Sequence, residues 1–285
     1  MSPSFLSGKA MVAGVMGWPI AHSKSPRLHG YWLREHQIDG TYIPLAVPPE
    51  KIEQALRALP VLGFRGCNLT IPHKELAMKI VDQCDDLAQR VGAVNTIIVR
   101  EDGTLEGHNT DVFGFAENLR SAGFVVDSEN PVATVLGAGG ASRAIIVALE
   151  DMGFKQIRIV NRNQSRAQAL AESLGQPSIT IDVYGWDQTD KALESSSLLV
   201  NSTSLGMTGQ PPLEIDISSL CAKAWVTDAV YAPLETELLK QAKAKNFSTV
   251  DGLGMLLHQG RPGFKAWFGQ EVDVTPALRQ LMCEP

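Results

Sequence analysis

Along most of the chain, short apolar runs of strand length alternate with longer segments whose apolar residues recur every three to four positions. That alternation predicts α/β units, with strands covered by helices on both faces. In the first third, "KAMVAGVMG" predicts a strand and "SPRLHGYWLREHQ" a helix. "TYIPLAV" predicts the next strand, "PEKIEQALRAL" a helix with proline in its first turn, "FRGCNLTI" a third strand and "KELAMKIVD" a third helix. "AVNTIIVRED" and "LEGHNTD" then read as two strands about a tight "GT" turn, which makes this sheet mixed. "DVFGFAENLRSAG" predicts a helix leading away, stopped at Gly123.

A second series begins at "NPVATVLGAGGASRAIIVALEDMG", where a β-branched run enters a glycine turn and passes directly into an apolar helix. "QIRIVNRN", "SITIDV", "SSLLVNSTS" and "AWVTDAVY" predict further strands, with a helix in "QSRAQALAESLG". This is the pattern of a doubly wound, nucleotide-binding sheet. "GMLLHQGRPGFKAWFG" and "TPALRQLMCEP" predict terminal helices.

Composition narrows the class. A chain of 285 residues with 44% hydrophobic and 20% charged residues fits a two-domain globular protein. A net charge of -6 without a basic stripe points away from nucleic acid. Cys67, Cys84, Cys221 and Cys283 contain no C-x-x-C pair, which suggests neither a disulfide framework nor a zinc site. The six histidines include no H-E-x-x-H pair, and no metal is expected. The opening stretch from Met1 has neither a membrane-spanning run nor an export signal, so a cytoplasmic protein is expected.

The glycine turn offers the first chemistry. In "VLGAGGAS", Gly137 permits a tight turn after the strand, and Gly139 lets backbone N-H groups approach a pyrophosphate at a helix N-terminus. Ser142 stands where the third glycine or alanine of the fingerprint is usual, while Gly140, Ala141 and Ala144 keep the helix entrance small. An NAD site places a carboxylate about 20 residues on, to bond the ribose. Here Asn161 stands 24 positions beyond Gly137, followed by Arg162 and Arg166. Two guanidinium groups suit a 2'-phosphate, so NADP(H) is preferred; the plainer alternative is that they solvate a helix start.

Hydride transfer to a carbonyl also needs a proton donor. Lys74, after the apolar run "GCNLTIP", can stabilise a developing alkoxide and protonate it, provided its surroundings tune it. Asp111 in "GHNTD" can hold that ammonium. Ser23 and Ser25 in "HSKSP", if locally extended, point one way and can grip a carboxylate. Each has a plain structural use as well: Ser25 and Asp111 as helix caps, Lys74 as an exposed first-turn residue, His73 as a partner for local backbone.

The ordered set "GVMGWPIAHSKSPRLH", "GCNLTIPHK", "GAVNT", "GHNTDVFGF", "GAGGASRA", "NRNQSRAQALA", "NSTSLGM", "DAVYAPLETELL" and "DGLGMLLHQG" resembles the shikimate dehydrogenase family over almost the full chain. The resemblance implies an α/β protein of two domains: a mixed-sheet substrate domain over residues 1–111, and a Rossmann-like NADP-binding domain over 112–250. Helices over 251–285 would return to the first domain. It implies reversible NADPH-dependent reduction of 3-dehydroshikimate to shikimate, in chorismate and aromatic amino-acid biosynthesis, by a monomer or homodimer. A quinate/shikimate dehydrogenase using NAD, or a noncatalytic NADP(H)-binding regulator, stands as the alternative.

Carried onto this sequence, the resemblance makes Lys74 the acid/base and Asp111 its partner. Ser23, Ser25 and Tyr231 would address the substrate carboxylate, and Asn68, Thr70, Asn95 and Gln259 its hydroxyls and reacting oxygen. The backbone of Gly137, Ala138, Gly139, Gly140, Ala141 and Ser142 would hold the pyrophosphate. Asn161, Arg162, Asn163 and Arg166 would hold the adenosine phosphate, and Ala229, Gly252 and Met255 would lie near the nicotinamide. The cleft between domains is expected to narrow on ligand binding. The chain departs from the family pattern at Trp18, Gly30, Asn163 and Asn246, none of them a proposed proton-transfer residue.

Overall fold

The computed structural model describes residues 6–284; Met1–Phe5, with which the expected absence of an export signal begins, and Pro285 lie outside the described residues. Two compact units emerge. One contains the residues up to Asp111 together with those from Leu256 on, and the other contains Val112–Met255.

The first unit carries strands β1 (Met11–Gly17), β2 (Gly40–Ala46), β3 (Phe64–Leu69), β4 (Gln83–Cys84), β5 (Thr96–Val99) and β6 (Leu105–His108). Its helices are α1 (Ser25–Glu35), α2 (Ile52–Ala58), α3 (Lys74–Ala77) and α4 (Asp86–Val91). The strands form one mixed sheet in the order β2-β1-β3-β5-β6-β4. Pairing is parallel from β2 through β3 and antiparallel across β3-β5-β6. In α1, Leu28, Trp32 and Leu33 fall at helical spacing and are buried, which fixes the face turned to the sheet. Leu56, Leu59, Cys67, Leu69, Ile97 and Leu105 meet in one cluster.

Two local expectations change, and two short elements appear that the pattern did not predict. "KELAMKIVD" is helical for only one turn, because its surroundings claim the backbone: Lys74 carbonyl accepts from Val94 N-H at 2.9 Å, and Asp82 N-H bonds Leu105 carbonyl at 2.9 Å. The β5-β6 connection is longer than "GT"; the Asp102 carboxylate takes the Thr104 N-H at 2.9 Å and builds the turn from its own side chain. Strand β4 and helix α4 carried no strong periodicity. Asp85 caps α4 by accepting Ala88 N-H at 2.6 Å, and left-handed Gly92 ends it.

The second unit holds α5 (Asp111–Ser121), which begins at the boundary, then β7 (Val132–Leu136), α6 (Gly140–Met152), β8 (Gln156–Val160), α7 (Gln164–Leu174) and β9 (Thr180–Tyr184). After it come α8 (Thr189–Leu193), β10 (Leu198–Asn201), β11 (Trp225–Asp228), α9 (Glu237–Ala244) and β12 (Ser248–Val250). Every neighbouring pair in its sheet, ordered β12-β11-β10-β7-β8-β9, is parallel. β7 and β10 are central and almost wholly buried, which is why they read as unbroken apolar runs instead of alternating ones. Ala167, Leu170, Ala171 and Leu174 give α7 its buried stripe at i, i+3, i+4 and i+7.

Helix α9 ends at Ala244, and Asn246, two residues beyond, has a φ of 62°, the left-handed conformation that asparagine tolerates. α10 (Leu253–Phe268) starts in the second unit and continues into the first, where α11 (Pro276–Cys283) completes the chain. In the first unit Trp267 Nε1 donates to Ile97 carbonyl at 2.9 Å and Trp32 Nε1 to Asp273 carbonyl at 3.1 Å, tying the C-terminal helices to the mixed sheet. Among the described residues no helix is long and apolar enough to cross a membrane, and the four thiols are free.

Candidate active site

The start of α3, which follows β3, and the start of α5 bring the site's charged groups together. Lys74 Nζ donates to Asp111 Oδ2 at 2.6 Å. The aspartate side chain is 7% exposed and the lysine 23%, so the carboxylate is sealed while the ammonium still reaches solvent. Asp111 opens α5, its own N-H donates to Asn109 Oδ1 at 3.1 Å, and its carboxylate oxygens accept from Lys74 and Asn95.

Neutral amides hold the other oxygen. Asn95 Nδ2 donates to Asp111 Oδ1 at 2.8 Å and lies 3.0 Å from Gln259 Oε1, which α10 supplies. Asn95 Oδ1 accepts Thr110 N-H at 2.8 Å, fixing which way the amide faces. The chain of bonds continues inward: Thr96 Oγ1 donates to Asn95 Oδ1 at 3.0 Å and accepts from Asn68 Nδ2 at the same distance. Tyr42 Oη donates to Asn68 Oδ1 at 2.6 Å. Burial pushes the Tyr42 phenol well up, so it stays a neutral donor. Sequence reasoning did not single out Tyr42, Thr96 or Thr110. Tyr42 sits in an otherwise ordinary strand pattern, and its polar role exists only because β2, β1 and β3 are neighbours.

The serines are arranged differently from the extended reading. Pro26 starts α1 in its first turn, so Ser25 is helical and the N-cap position falls to Lys24, with no side-chain cap. Ser23 Oγ accepts Ser25 N-H at 3.3 Å, and Ser25 is buried. Thr70 lies one residue past β3, its N-H given to Met16 carbonyl at 2.9 Å. His73 bonds Val47 carbonyl through Nε2 at 2.9 Å, the local backbone role open to it, and burial lowers its pKa. Tyr231 belongs to the other unit, half-buried, with burial raising its phenol.

In that second unit the glycine turn is built by backbone and small hydroxyls. Gly137 has φ 106°, and a Cβ there would lie 2.9 Å from Ser202 Oγ and 3.0 Å from Thr203 Cγ2. A Cβ on Gly139 or Gly140 would meet nothing within 4 Å, which leaves open space in front of the first turn of α6. Ser142 explains its departure from the fingerprint: its Oγ, fully buried, accepts Gly139 N-H at 2.9 Å and bonds Ser202 Oγ at 2.8 Å. The hydroxyl thus braces the turn from behind and takes up the Gly139 N-H, leaving the backbone N-H groups of the first turn of α6, at Gly140, Ala141 and Ser142, for a ligand. N-H groups of a first helical turn have no intrahelical acceptor and suit a pyrophosphate.

Past β8, Asn161 Nδ2 bonds Asn163 carbonyl at 2.8 Å, and Asn163 Oδ1 caps α7 by accepting Arg166 N-H at 3.0 Å. Arg162 and Arg166 are exposed; Arg162 lies over the Trp186 ring at 6.0 Å, a contact that restrains the guanidinium. These features fit a dinucleotide carrying a ribose phosphate. Gly252 packs on the chain after β11, where a Cβ would lie 2.5 Å from Ala229 carbonyl oxygen, and Met255 is half-buried on α10.

Known proteins agree with this architecture. Residues 15–97 match the family described as shikimate dehydrogenase substrate binding domain, 122–207 the shikimate/quinate 5-dehydrogenase family, and 252–282 the shikimate 5'-dehydrogenase C-terminal domain. Shikimate dehydrogenase (NADP(+)) of Rhodospirillum rubrum is 56% identical over 96% of this chain and 97% of its own. A crystal structure of the Thermus thermophilus enzyme with NADP(H) and shikimate is 35% identical with a TM-score of 0.83, covering 95% of this chain and 98% of that one. Quinate dehydrogenase of Corynebacterium glutamicum, in complex with NAD, is 29% identical with a TM-score of 0.86 over 96% and 97%. With matched segments spread from Val15 to Met282 and identity above one half to a full-length relative, the chain belongs to the shikimate dehydrogenase family.

Proposed function

We propose that the protein is an NADP-dependent shikimate dehydrogenase, reversibly reducing 3-dehydroshikimate to shikimate. The observation that carries this is the Lys74-Asp111 pair at 2.6 Å, with Asn95 and Gln259 on its flank, within a chain of that family. The first unit is assigned the substrate, and the second, with its glycine turn and arginine pair, the cofactor. NADPH, when bound, supplies the hydride that the carbonyl carbon takes up.

As that carbon is reduced, negative charge develops on its oxygen, and the Lys74 ammonium donates a proton there. Asp111 fixes the direction of the ammonium while Asn95, itself oriented by Thr110 N-H, holds Asp111, so the donor does not reorganise during reaction. The lysine's partial exposure lets solvent return the proton; the aspartate, nearly sealed, keeps water from competing for its oxygens. In the oxidative direction the neutral amine takes the hydroxyl proton. Thr70, Asn68, Asn95 and Gln259 are assigned to the ring hydroxyls, and Ser23, Ser25 and Tyr231 to the carboxylate. Arg162 and Arg166 are assigned to the 2'-phosphate, and Ala229, Gly252 and Met255 to the nicotinamide end. A cytoplasmic monomer or homodimer, acting on small molecules and not on nucleic acid, completes the proposal.

Initial rates with shikimate and quinate, each with NADP and NAD, test it. Shikimate with NADP should be the fastest pair; a faster reaction of quinate with NAD would overturn the assignment in favour of the quinate enzyme. Absence of turnover with all four, alongside tight NADPH binding, would favour a regulator.

A further inference from the structure

Asp228, the last residue of β11, is 1% exposed, and each of its partners is neutral. Asn201 Nδ2 donates to its Oδ1 at 2.9 Å, Val230 N-H to the same oxygen at 2.9 Å, and Thr236 Oγ1 to Oδ2 at 2.7 Å. A carboxylate withdrawn from water without a cation is costly, and burial pushes its pKa up to about 6. Holding strands together does not require such a group, since β10 and β11 are already paired through their backbones.

Its partners share a location. Asn201 ends β10, Val230 lies in the chain leaving β11, and Thr236 caps α9. The Asn201 carbonyl accepts Ala229 N-H at 2.8 Å, so both N-H groups that follow β11 are drawn inward. In a trans peptide the carbonyl points opposite to the N-H. With Val230 N-H fixed on Asp228, the Ala229 carbonyl points away from Asp228, on the side where Gly252 packs so closely that a Cβ would lie 2.5 Å from its oxygen. In doubly wound sheets a dinucleotide crosses the carboxyl ends of the strands at the switch point. Here that point lies between β7 and β10: the glycine turn and Arg162 follow β7 and β8, and the opposite half faces the ends of β10 and β11.

We infer that Asp228 is a positioning residue: through the Val230 N-H it aims the Ala229 carbonyl as an acceptor for the primary amide of the cofactor's nicotinamide half. This rests on the NADP-binding reading above and goes beyond it by naming what holds the acceptor in place.

Binding is measured by calorimetry for NADP, for its 3-acetylpyridine analogue, which lacks the amide N-H donors, and for adenosine 2',5'-bisphosphate. The wild-type protein should bind NADP about three- to tenfold more tightly than the analogue, the worth of one neutral hydrogen bond. Asp228→Ala should erase that difference while leaving the bisphosphate within about twofold. Asp228→Asn, which keeps an acceptor for Val230 N-H, should restore most of it. Asp228→Leu, nearer the original volume, replaces the alanine variant if that fails to fold. Equal binding of NADP and analogue by the wild type, or a difference that survives in the alanine or leucine variant, overturns the inference. If the wild type binds neither NADP nor the bisphosphate, the cofactor reading itself fails instead.

Discussion

The two candidate sites are made from opposite materials. Around Lys74 and Asp111 the material is side chains: one ion pair, two amides and several hydroxyls, each fixed by another. At the glycine turn the side chains withdraw, and the hydroxyls of Ser142 and Ser202 bond each other behind the backbone. A proton donor must offer one atom at one place, and that demands a supported side chain. A pyrophosphate spreads its charge over many oxygens and is met by several peptide N-H groups at once, which demands free space. Substitutions should consequently fail in different ways in the two regions.

The largest effect is expected at the ammonium. Lys74→Ala should lower kcat by about 10²- to 10⁴-fold with a much smaller change in the KM for shikimate, since it removes a donor used mainly in the transition state. Steady-state kinetics decide this, and near-normal turnover would remove Lys74 from the mechanism. At the turn, two glycines separate binding from folding. Gly139→Val puts atoms into open space, so thermal stability should hold while the KM for NADP rises at least about tenfold. Gly137→Ala forces a Cβ into a left-handed position against Ser202 and Thr203 and should cost about 1–3 kcal/mol of stability, seen as a lower Tm.

Next in size is coenzyme choice. Removing both guanidinium groups in Arg162→Ala/Arg166→Ala should reduce the preference for NADP over NAD by about 10- to 100-fold, the value of charge-assisted bonds to one phosphate. An unchanged ratio of kcat/KM values would return these arginines to the role of a solvated helix start.

A last test sharpens the contrast through pH. His29 is buried in the first unit, stacked on Tyr42 with ring centroids 4.0 Å apart, and burial lowers its pKa to about 3. The unfolded chain binds its proton more readily between about pH 3 and 6.5, so His29 favours folding fully above that window and loses its contribution as pH falls through it. Asp228 has the opposite sign: its folded pKa of about 6 lies above 3.8, so the folded state holds the proton more tightly and stability falls as pH rises across that interval. Denaturant midpoints from pH 4 to 7 should rise less steeply in His29→Phe, and more steeply in Asp228→Asn, than in the wild type.

Most of the architecture was legible because apolar spacing reports it directly. The β7-turn-α6 passage shows this, where a β-branched run, glycines and an apolar helix follow without interruption. Legibility failed where backbone partners came from elsewhere. The α3 pattern continues past Ala77, yet the segment after it lines up with β6 and surrenders its helix. The site was legible in part for the same reason. Lys74 and Asp111 announce a charged pair by residue type, whereas Tyr42 gave no signal beyond a strand tyrosine, and Asp228 looked like a residue at the end of an apolar strand.

Taken by itself, the amino-acid order determined the alternating α/β plan, the glycine turn, the missing ribose carboxylate and the presence of one well-placed lysine, because each is a local property of a few neighbouring residues. Tertiary structure decided that residues 42, 68, 95, 111 and 259 share one hydrogen-bonded network and that Asp228 is buried among neutral donors. Those facts depend on strand order and on which chain ends meet, and contacts across 26 to 164 residues leave no periodic trace in the sequence.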